Sequence, residues 1–308
     1  MMNTKNLENY LSEIGSTQTK KDVSLKKYTT IKTGGKARYL TEPNTYESLA
    51  QLFEYVCKNS IPFRILGNGS NILISDHGFD GIVFSLRNLP SNILFDKGIL
   101  TVSANLDSAY LCKKCIIEGL SNLEFISGIP GSVGGLVAMN AGAFGKEICT
   151  YLSSIKIINE AGEQKMVGRE DIIFGYRNMD LRERNFIVIE ASFFMHQKNM
   201  QEVKISCDDY LEQRKSKDLW QKKTFGSTFK NGENYYAGEL IEKCGLKGFR
   251  IGGAMISKEH ANFIINDNNA SSRDVYLLIQ KMKQEVKKKF FIELELEVQL
   301  WGDFYYAK

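Results

Sequence analysis

The chain has 308 residues, with 40 Lys and Arg against 36 Asp and Glu for a formal charge of +4, and only 4 prolines. That length suits two or three compact units of roughly 100–150 residues each. The small charge argues against nucleic acid or an acidic membrane as partner, and no stretch approaches the roughly 20 apolar residues of a membrane span.

The N-terminus, Met1 to Thr17, is polar and amphipathic and lacks the apolar core of a signal peptide, so a cytoplasmic protein is expected. Arg38–Leu40 reads as a strand. Pro43–Asn59 reads as a helix with Leu49, Leu52, Phe53 and Val56 on one face. Strands follow at Phe63–Leu66, Ile72–Ile74, Ile82–Ser85, Ile93–Phe95 and Leu100–Ser103, then an amphipathic helix over Ser108–Gly119. Ser154–Asn159 and Phe186–Phe194 have strand character. Helices are expected over Val203–Trp220, around Ala237–Cys244 and over Asp274–Phe290, the last with Val275, Leu278, Ile279, Met282 and Val286 at helical spacing. The tail Ile292–Leu300 alternates strictly, which predicts a strand with one apolar face and an acidic face of Glu293, Glu295 and Glu297. Strands interleaved with helices indicate an α+β or α/β protein rather than a bundle.

Two glycine-rich runs stand out. One is Gly67-Asn68-Gly69-Ser70-Asn71; the other runs from Gly128-Ile129-Pro130-Gly131-Ser132-Val133-Gly134-Gly135 through Asn140-Ala141-Gly142-Ala143 to Gly145. Such runs expose main-chain N–H groups and let backbone approach a ligand, because glycine carries no side chain and tolerates positive φ. Two together suggest one extended anionic ligand held from two directions; the plainer reading, that they only make turns, stays open. Neither run has the Lys-Ser or Lys-Thr of a phosphate-binding loop, and apolar Ile72–Ile74 follows the first where a dinucleotide fingerprint would open a helix.

Six cysteines are scattered through the chain. Cys112 and Cys115 form a CxxC on a predicted helix with no second pair to complete a zinc site, so buried or half-buried free thiols are expected and no metal is predicted.

Taken in order, Thr33-Gly34-Gly35, Leu66–Asn71, Gly128–Gly135, Asn140–Ala143, Tyr176-Arg177-Asn178, Gly226–Asn231, Gly252-Gly253, His260-Ala261 and Glu297-Val298 resemble the motifs of the UDP-N-acetylenolpyruvoylglucosamine reductase (MurB) family. The resemblance runs from Tyr28 to Gly302. The distance from Arg177 to Ser227 is similar to the shorter family type, without an extra tyrosine loop. It implies an α+β chain with an FAD-binding PCMH-like fold: two α+β subdomains, 1–86 with 291–308 and 87–200, and a third α+β domain, 201–290, for the UDP-sugar. A bacterial, cytoplasmic enzyme of peptidoglycan precursor synthesis is implied, acting as a monomer on a small-molecule substrate, with FAD as a tightly bound cofactor and NADPH as hydride donor.

The resemblance also implies site roles. FAD would be held by Gly67, Asn68, Gly69, Ser70, Asn71, Gly128, Ile129, Pro130, Gly131, Ser132, Gly134, Gly135, Asn140, Ala141, Gly142 and Ala143. Tyr176, Arg214, Lys217, Asn231 and His260 would face the substrate, and Arg177, Ser227 and Glu297 would perform the chemistry. A guanidinium stays protonated and grips a carboxylate with two parallel hydrogen bonds, which suits Arg177 to developing negative charge. Ser227 would give the proton, with Lys217 or Lys230 as candidates to support its alkoxide. Read from the residues alone, Arg177 is first a surface arginine in a loop, Ser227 a cap or turn serine after Gly226, and Glu297 one more solvated charge. Gln299 stands where an arginine is common in the family, and Leu219 and Gly232 where prolines are. Another flavin oxidoreductase of the same fold group, or a nucleotide-sugar binding module without flavin, would share the glycine runs.

Overall fold

The computed structural model describes residues 4–181, 185–215, 219 and 221–305. The polar N-terminus folds as a helix, α1 (Thr4–Glu13), because Leu7 and Leu11 fall one turn apart and bury on one side. Chain contacts divide the protein into two units. The first comprises Met1–Lys21, Tyr39–Asn68 and Gly81–Gln213; the second comprises Asp22–Arg38, Gly69–Asp80 and Arg214–Lys308.

A four-stranded sheet, most of whose residues belong to the first unit, takes the order Thr17–Ser24, Lys36–Pro43, Phe79–Ser85, Phe63–Leu66. Its last pair is parallel, with Phe63 opposite Ile82 and Leu66 opposite Ser85. Helix α2 (Tyr46–Lys58) begins later than Pro43 because that proline ends a strand, and Thr45 caps the helix by accepting from the Ser48 N–H at 3.1 Å. It buries Leu49, Leu52, Phe53 and Val56 with Tyr39, Ile82 and Phe84.

A five-stranded antiparallel sheet follows, ordered Gln164–Gly168, Leu152–Asn159, Phe186–Phe194, Ile99–Ser103, Ile93–Asp96. Val102, Ile155, Ile157 and Phe193 from this sheet share a core with α3 (Ser108–Glu118) and the short α4 (Val133–Ala138). Asp107 caps α3 and Gly119 ends it in the left-handed region at φ 65°. Helix α5 covers Met200–Lys215; residues 216–218 and Trp220 of the predicted Val203–Trp220 helix lie outside the described residues.

The second unit packs α6 (Ala237–Lys243) and α7 (Ser272–Phe290) with a three-stranded sheet of Arg250–Ile251, Ala254–Ile256 and Ile264–Asn266. Val275, Leu278, Ile279, Met282 and Val286 of α7 are buried, as their spacing predicts. The helix starts on a capping box, in which the Asp274 N–H donates to Ser271 Oγ and Ser271 N–H donates to Asp274, both at 3.0 Å. The Asp76 carboxylate accepts from the Ser272 and Arg273 N–H groups at 2.9 and 2.8 Å, adding negative charge at the positive end of the helix.

The tail departs from expectation. Only Gln299–Trp301 is a strand, parallel to Ile72–Ile74, while the residues before it form no regular strand and touch Phe229 through an isolated bridge from Leu296. Main-chain bonds there go to the irregular segment 228–230 instead of a regular ladder, so the alternation of burial persists without a regular strand.

Candidate active site

In the first unit the two glycine runs meet. A Cβ on Gly67 would lie 2.6 Å from Ser132 Oγ and would push that hydroxyl aside, and one on Gly134 would lie 2.8 Å from the Ala104 Cβ, closer than two carbons pack. Asp107 and Ser108, at the start of α3, bind the two runs together. Asn68 donates to the Asp107 carboxylate at 2.7 Å, and Ser108 donates from its main chain to Gly131 O at 2.9 Å and from its hydroxyl to Ile129 O at 2.6 Å. Sequence reasoning missed Asp107 because a helix cap is its ordinary use, and it is one here as well, accepting from the Ala109 N–H.

A cavity of about 430 Å³ opens between the runs. Leu66, Gly67, Asn68, Ser132, Gly134 and Gly135 line it with Ala104, Asn105, Arg87 and Val188. Close main-chain approach, an apolar wall and a few polar groups fit the nucleotide part of a flavin cofactor. The second run offers fewer open N–H groups than its composition suggests. Val133 and Gly134 donate to Leu106 O and Ala104 O at 2.8 Å, and Gly135 donates to Ser132 Oγ at 3.3 Å, because α4 begins there and needs those partners.

The rest of the first run belongs to the second unit. Gly69, at φ 65°, packs so tightly on Tyr28 O that any side chain would overlap it, and Thr30 N–H donates to Gly69 O at 3.0 Å. Asn71 reaches the tail: its Nδ2 donates to Glu297 O at 3.1 Å, and its carbonyl accepts from the Gln299 N–H at 3.0 Å.

Ser227 and Glu297 come together in this unit. Ser227 bridges Phe263, Thr228 N–H donates to Asn262 O at 2.8 Å, and Thr228 O accepts from the Glu297 N–H at 3.0 Å. Asn262 is buried and clamps Phe229 both ways, donating to its carbonyl at 2.8 Å and accepting from its N–H at 3.0 Å. The segment after Gly226, which turns at φ 83°, is thereby held between residues 262–263 and 295–298. The three tail glutamates then separate. Glu293 pairs with Lys287 and Glu295 with Lys230, with side chains 73% and 71% exposed, whereas Glu297 is half-buried. Lys230, one candidate to support a Ser227 alkoxide, is thus tied to Glu295 at 2.6 Å.

Arg177 belongs to the first unit. Strands Ile173–Gly175 and Asn178–Asp180 pair as a hairpin whose two-residue turn is Tyr176-Arg177. Arg177 sits at φ 57°, a region disfavoured for arginine by roughly 1–2 kcal/mol. Its guanidinium lies over the exposed Tyr176 ring at 4.7 Å and donates from Nη2 to Gly142 O at 3.0 Å.

The expected substrate contacts are dispersed. Asn231 Oδ1 accepts from the Ala237 N–H at 3.0 Å and so helps start α6. His260 Nδ1 accepts from the Asn262 N–H at 3.3 Å, and its ring meets Phe263 edge-on. Arg214 is half-buried in the last turn of α5; Lys217 lies outside the described residues. Cys112 and Cys115 are buried on α3, and burial pushes the Cys115 thiol well above its ordinary range. Among the described residues no group of three His, Cys, Asp or Glu side chains is placed to hold a metal ion, and no helix is long and apolar enough to cross a membrane.

A glycine-lined cavity in an α+β unit is the arrangement of a flavin-binding domain, and residues 37–168 match the family described as FAD binding domain. Residues 218–301 match UDP-N-acetylenolpyruvoylglucosamine reductase, C-terminal domain. The UDP-N-acetylenolpyruvoylglucosamine reductase of Caldanaerobacter subterraneus subsp. tengcongensis is 37% identical over 279 residues, covering 91% of this chain and 92% of its own. That of Geobacillus thermodenitrificans is 38% identical over 283 residues, covering 92% and 93%. The crystal structure of the reductase from Thermus caldophilus superposes with a TM-score of 0.78 at 33% identity, over 93% of this chain and 99% of that one. The chain belongs to the UDP-N-acetylenolpyruvoylglucosamine reductase family, and the α+β class expected from its sequence is the class observed.

Proposed function

We propose that this protein reduces the enolpyruvyl ether of UDP-N-acetylglucosamine to the lactyl ether of UDP-N-acetylmuramate, consuming NADPH in bacterial peptidoglycan precursor synthesis. The observation that carries this reading is the bond from the Glu297 N–H to Thr228 O, which brings the tail against the segment that carries Ser227. Segments far apart along the chain meet through the Thr228 carbonyl, and only the third tail glutamate is drawn out of solvent. Residues 1–86 with 291–308 and 87–200 are read as the FAD-binding parts and 201–290 as the UDP-sugar domain of a monomeric cytoplasmic enzyme.

FAD, which the glycine runs at Gly67–Asn71 and Gly128–Gly135 would hold, would supply the hydride chemistry. The substrate's C=C π bond opens as hydride joins its CH2 carbon, and the electron pair moves to the adjacent carbon and into the carboxylate. Arg177 grips that carboxylate with two N–H groups and offsets the growing charge. Ser227 delivers the proton to the adjacent carbon, and Glu297 acts on the enolate beside it. Tyr176, Arg214, Lys217, Asn231 and His260 orient the sugar and diphosphate. The test is anaerobic stopped-flow mixing of NADPH-reduced enzyme with the enolpyruvyl UDP-sugar. Flavin reoxidation with formation of the lactyl ether supports the reading; colourless protein, or reduced flavin indifferent to that substrate, would refute it.

A further inference from the structure

The Arg177 turn is fastened from below by a residue that never reaches its side chain. Asn140 is fully buried, with 0% exposure, and holds a left-handed backbone at φ 40°. Both ends of its amide are engaged inside the protein. Nδ2 donates to Glu147 Oε2 and to Gly175 O, both at 2.8 Å, and Oδ1 accepts from the Cys149 N–H at 3.1 Å. Gly175 is the last strand residue before Tyr176-Arg177, so one of these bonds holds the base of the turn. Two residues beyond Asn140, Gly142 O accepts from Arg177 Nη2. One short segment, 140–142, therefore grips the hairpin at its backbone and at the guanidinium.

We infer that Asn140 is a positioning residue for Arg177: its amide fixes the height and direction of the hairpin tip that presents the guanidinium. This rests on the reading of Arg177 as the group that stabilises the substrate's developing charge. An amide suits the place, since it must give two N–H bonds to a carboxylate and a carbonyl while taking one from a main-chain N–H. Gly175 has no side chain, so its backbone is the only handle by which this end of the strand can be held.

The paired substitution Asn140→Asp with Glu147→Gln separates fold from function. The new carboxylate at position 140 still accepts from the Cys149 N–H and now accepts from the amide introduced at position 147, which rebuilds that side of the network. Toward Gly175 it presents a lone pair instead of an N–H, so the hairpin loses its anchor. The expected result on flavin-bound protein is reoxidation by the enolpyruvyl UDP-sugar slowed about 10²-fold, the effect of a misplacement near 1 Å. Independently of turnover, amide hydrogen exchange should quicken at 175–178 while 141–149 stays as protected as in the wild type. Arg177→Lys is run beside it. Slow reoxidation in Arg177→Lys with wild-type reoxidation and exchange in the paired variant would overturn the positioning role alone. Wild-type reoxidation in Arg177→Lys would overturn the reading of Arg177, and the positioning role with it.

Discussion

The turn carrying Arg177 and the segment carrying Ser227 are held by different kinds of bond. Around Arg177 the anchors are side chains: a buried Asn140 amide, the Glu147 carboxylate and the arginine's own reach to Gly142 O. Around Ser227 they are mostly main chain, with Thr228 and Lys230 bonded to residues 262, 295 and 297. A main-chain frame fixes position whatever the side chains are, so Ser227 and Glu297 can be exchanged with little harm to the fold. A side-chain frame fails when one amide becomes a carboxylate. The chemistry of the second region should therefore be separable from its stability, and that of the first should be sensitive to residues that never meet substrate.

The sharpest test of the second region is Ser227→Ala. Reoxidation of reduced flavin by substrate should slow about 10²–10⁴-fold, the scale of a lost general acid. Flavin reduction by NADPH and the melting temperature should stay as in the wild type; a stability loss would break the contrast. Next comes Glu297→Gln, expected to slow turnover on the order of 10²-fold, against no change for Glu293→Gln, as steady-state kinetics would report. Equal effects would mean that the half-buried position of Glu297 is only structural.

Asn262 is the exception inside the second region, a side chain at the centre of a main-chain frame. Asn262→Ala leaves the Phe229 N–H and carbonyl unpaired, at about 1–3 kcal/mol for each buried group, so thermal or urea unfolding should show a clear loss. A smaller, pH-dependent effect is expected beside Asn140. Burial pushes the Cys149 thiol from its ordinary 9.0 to about 12. The folded state keeps the proton while the unfolded chain releases it, so this stability is complete below pH 9 and declines as pH rises toward 12. Melts between pH 8 and about 10.5 should slope less steeply in Cys149→Ala. Smallest of all is Glu295→Gln, which removes an exposed ion pair with Lys230 worth less than about 1 kcal/mol and should leave turnover intact.

The strongly periodic parts were legible early. Helix α7 carries apolar residues at helical spacing from Val275 to Val286, and all of them are buried. The strands Phe63–Leu66 and Phe186–Phe194 were likewise readable as apolar runs. Less legible was the first helix, whose two buried leucines stand among polar residues, and the tail, whose alternation survives without a ladder. At the site, the glycine runs announced close backbone approach, but not that α4 would use the N–H groups of residues 133–135. Asp107 and Asn140 gave no sign of their anchoring bonds, since an Asp before a helix and an Asn in a loop are common for local reasons.

Sequence alone determined the family, the α+β class and the kinds of residue available, because motif order and hydrophobic period are written along the chain. Tertiary structure decided which of them matter. The alternating tail offers Glu293, Glu295 and Glu297 on equal terms, and the third is set apart by its half-buried side chain and by main-chain bonds to Thr228 O and Asn71 Nδ2. Hydrogen bonds between distant segments select one partner by geometry, and a linear pattern with a period of two treats every second residue alike.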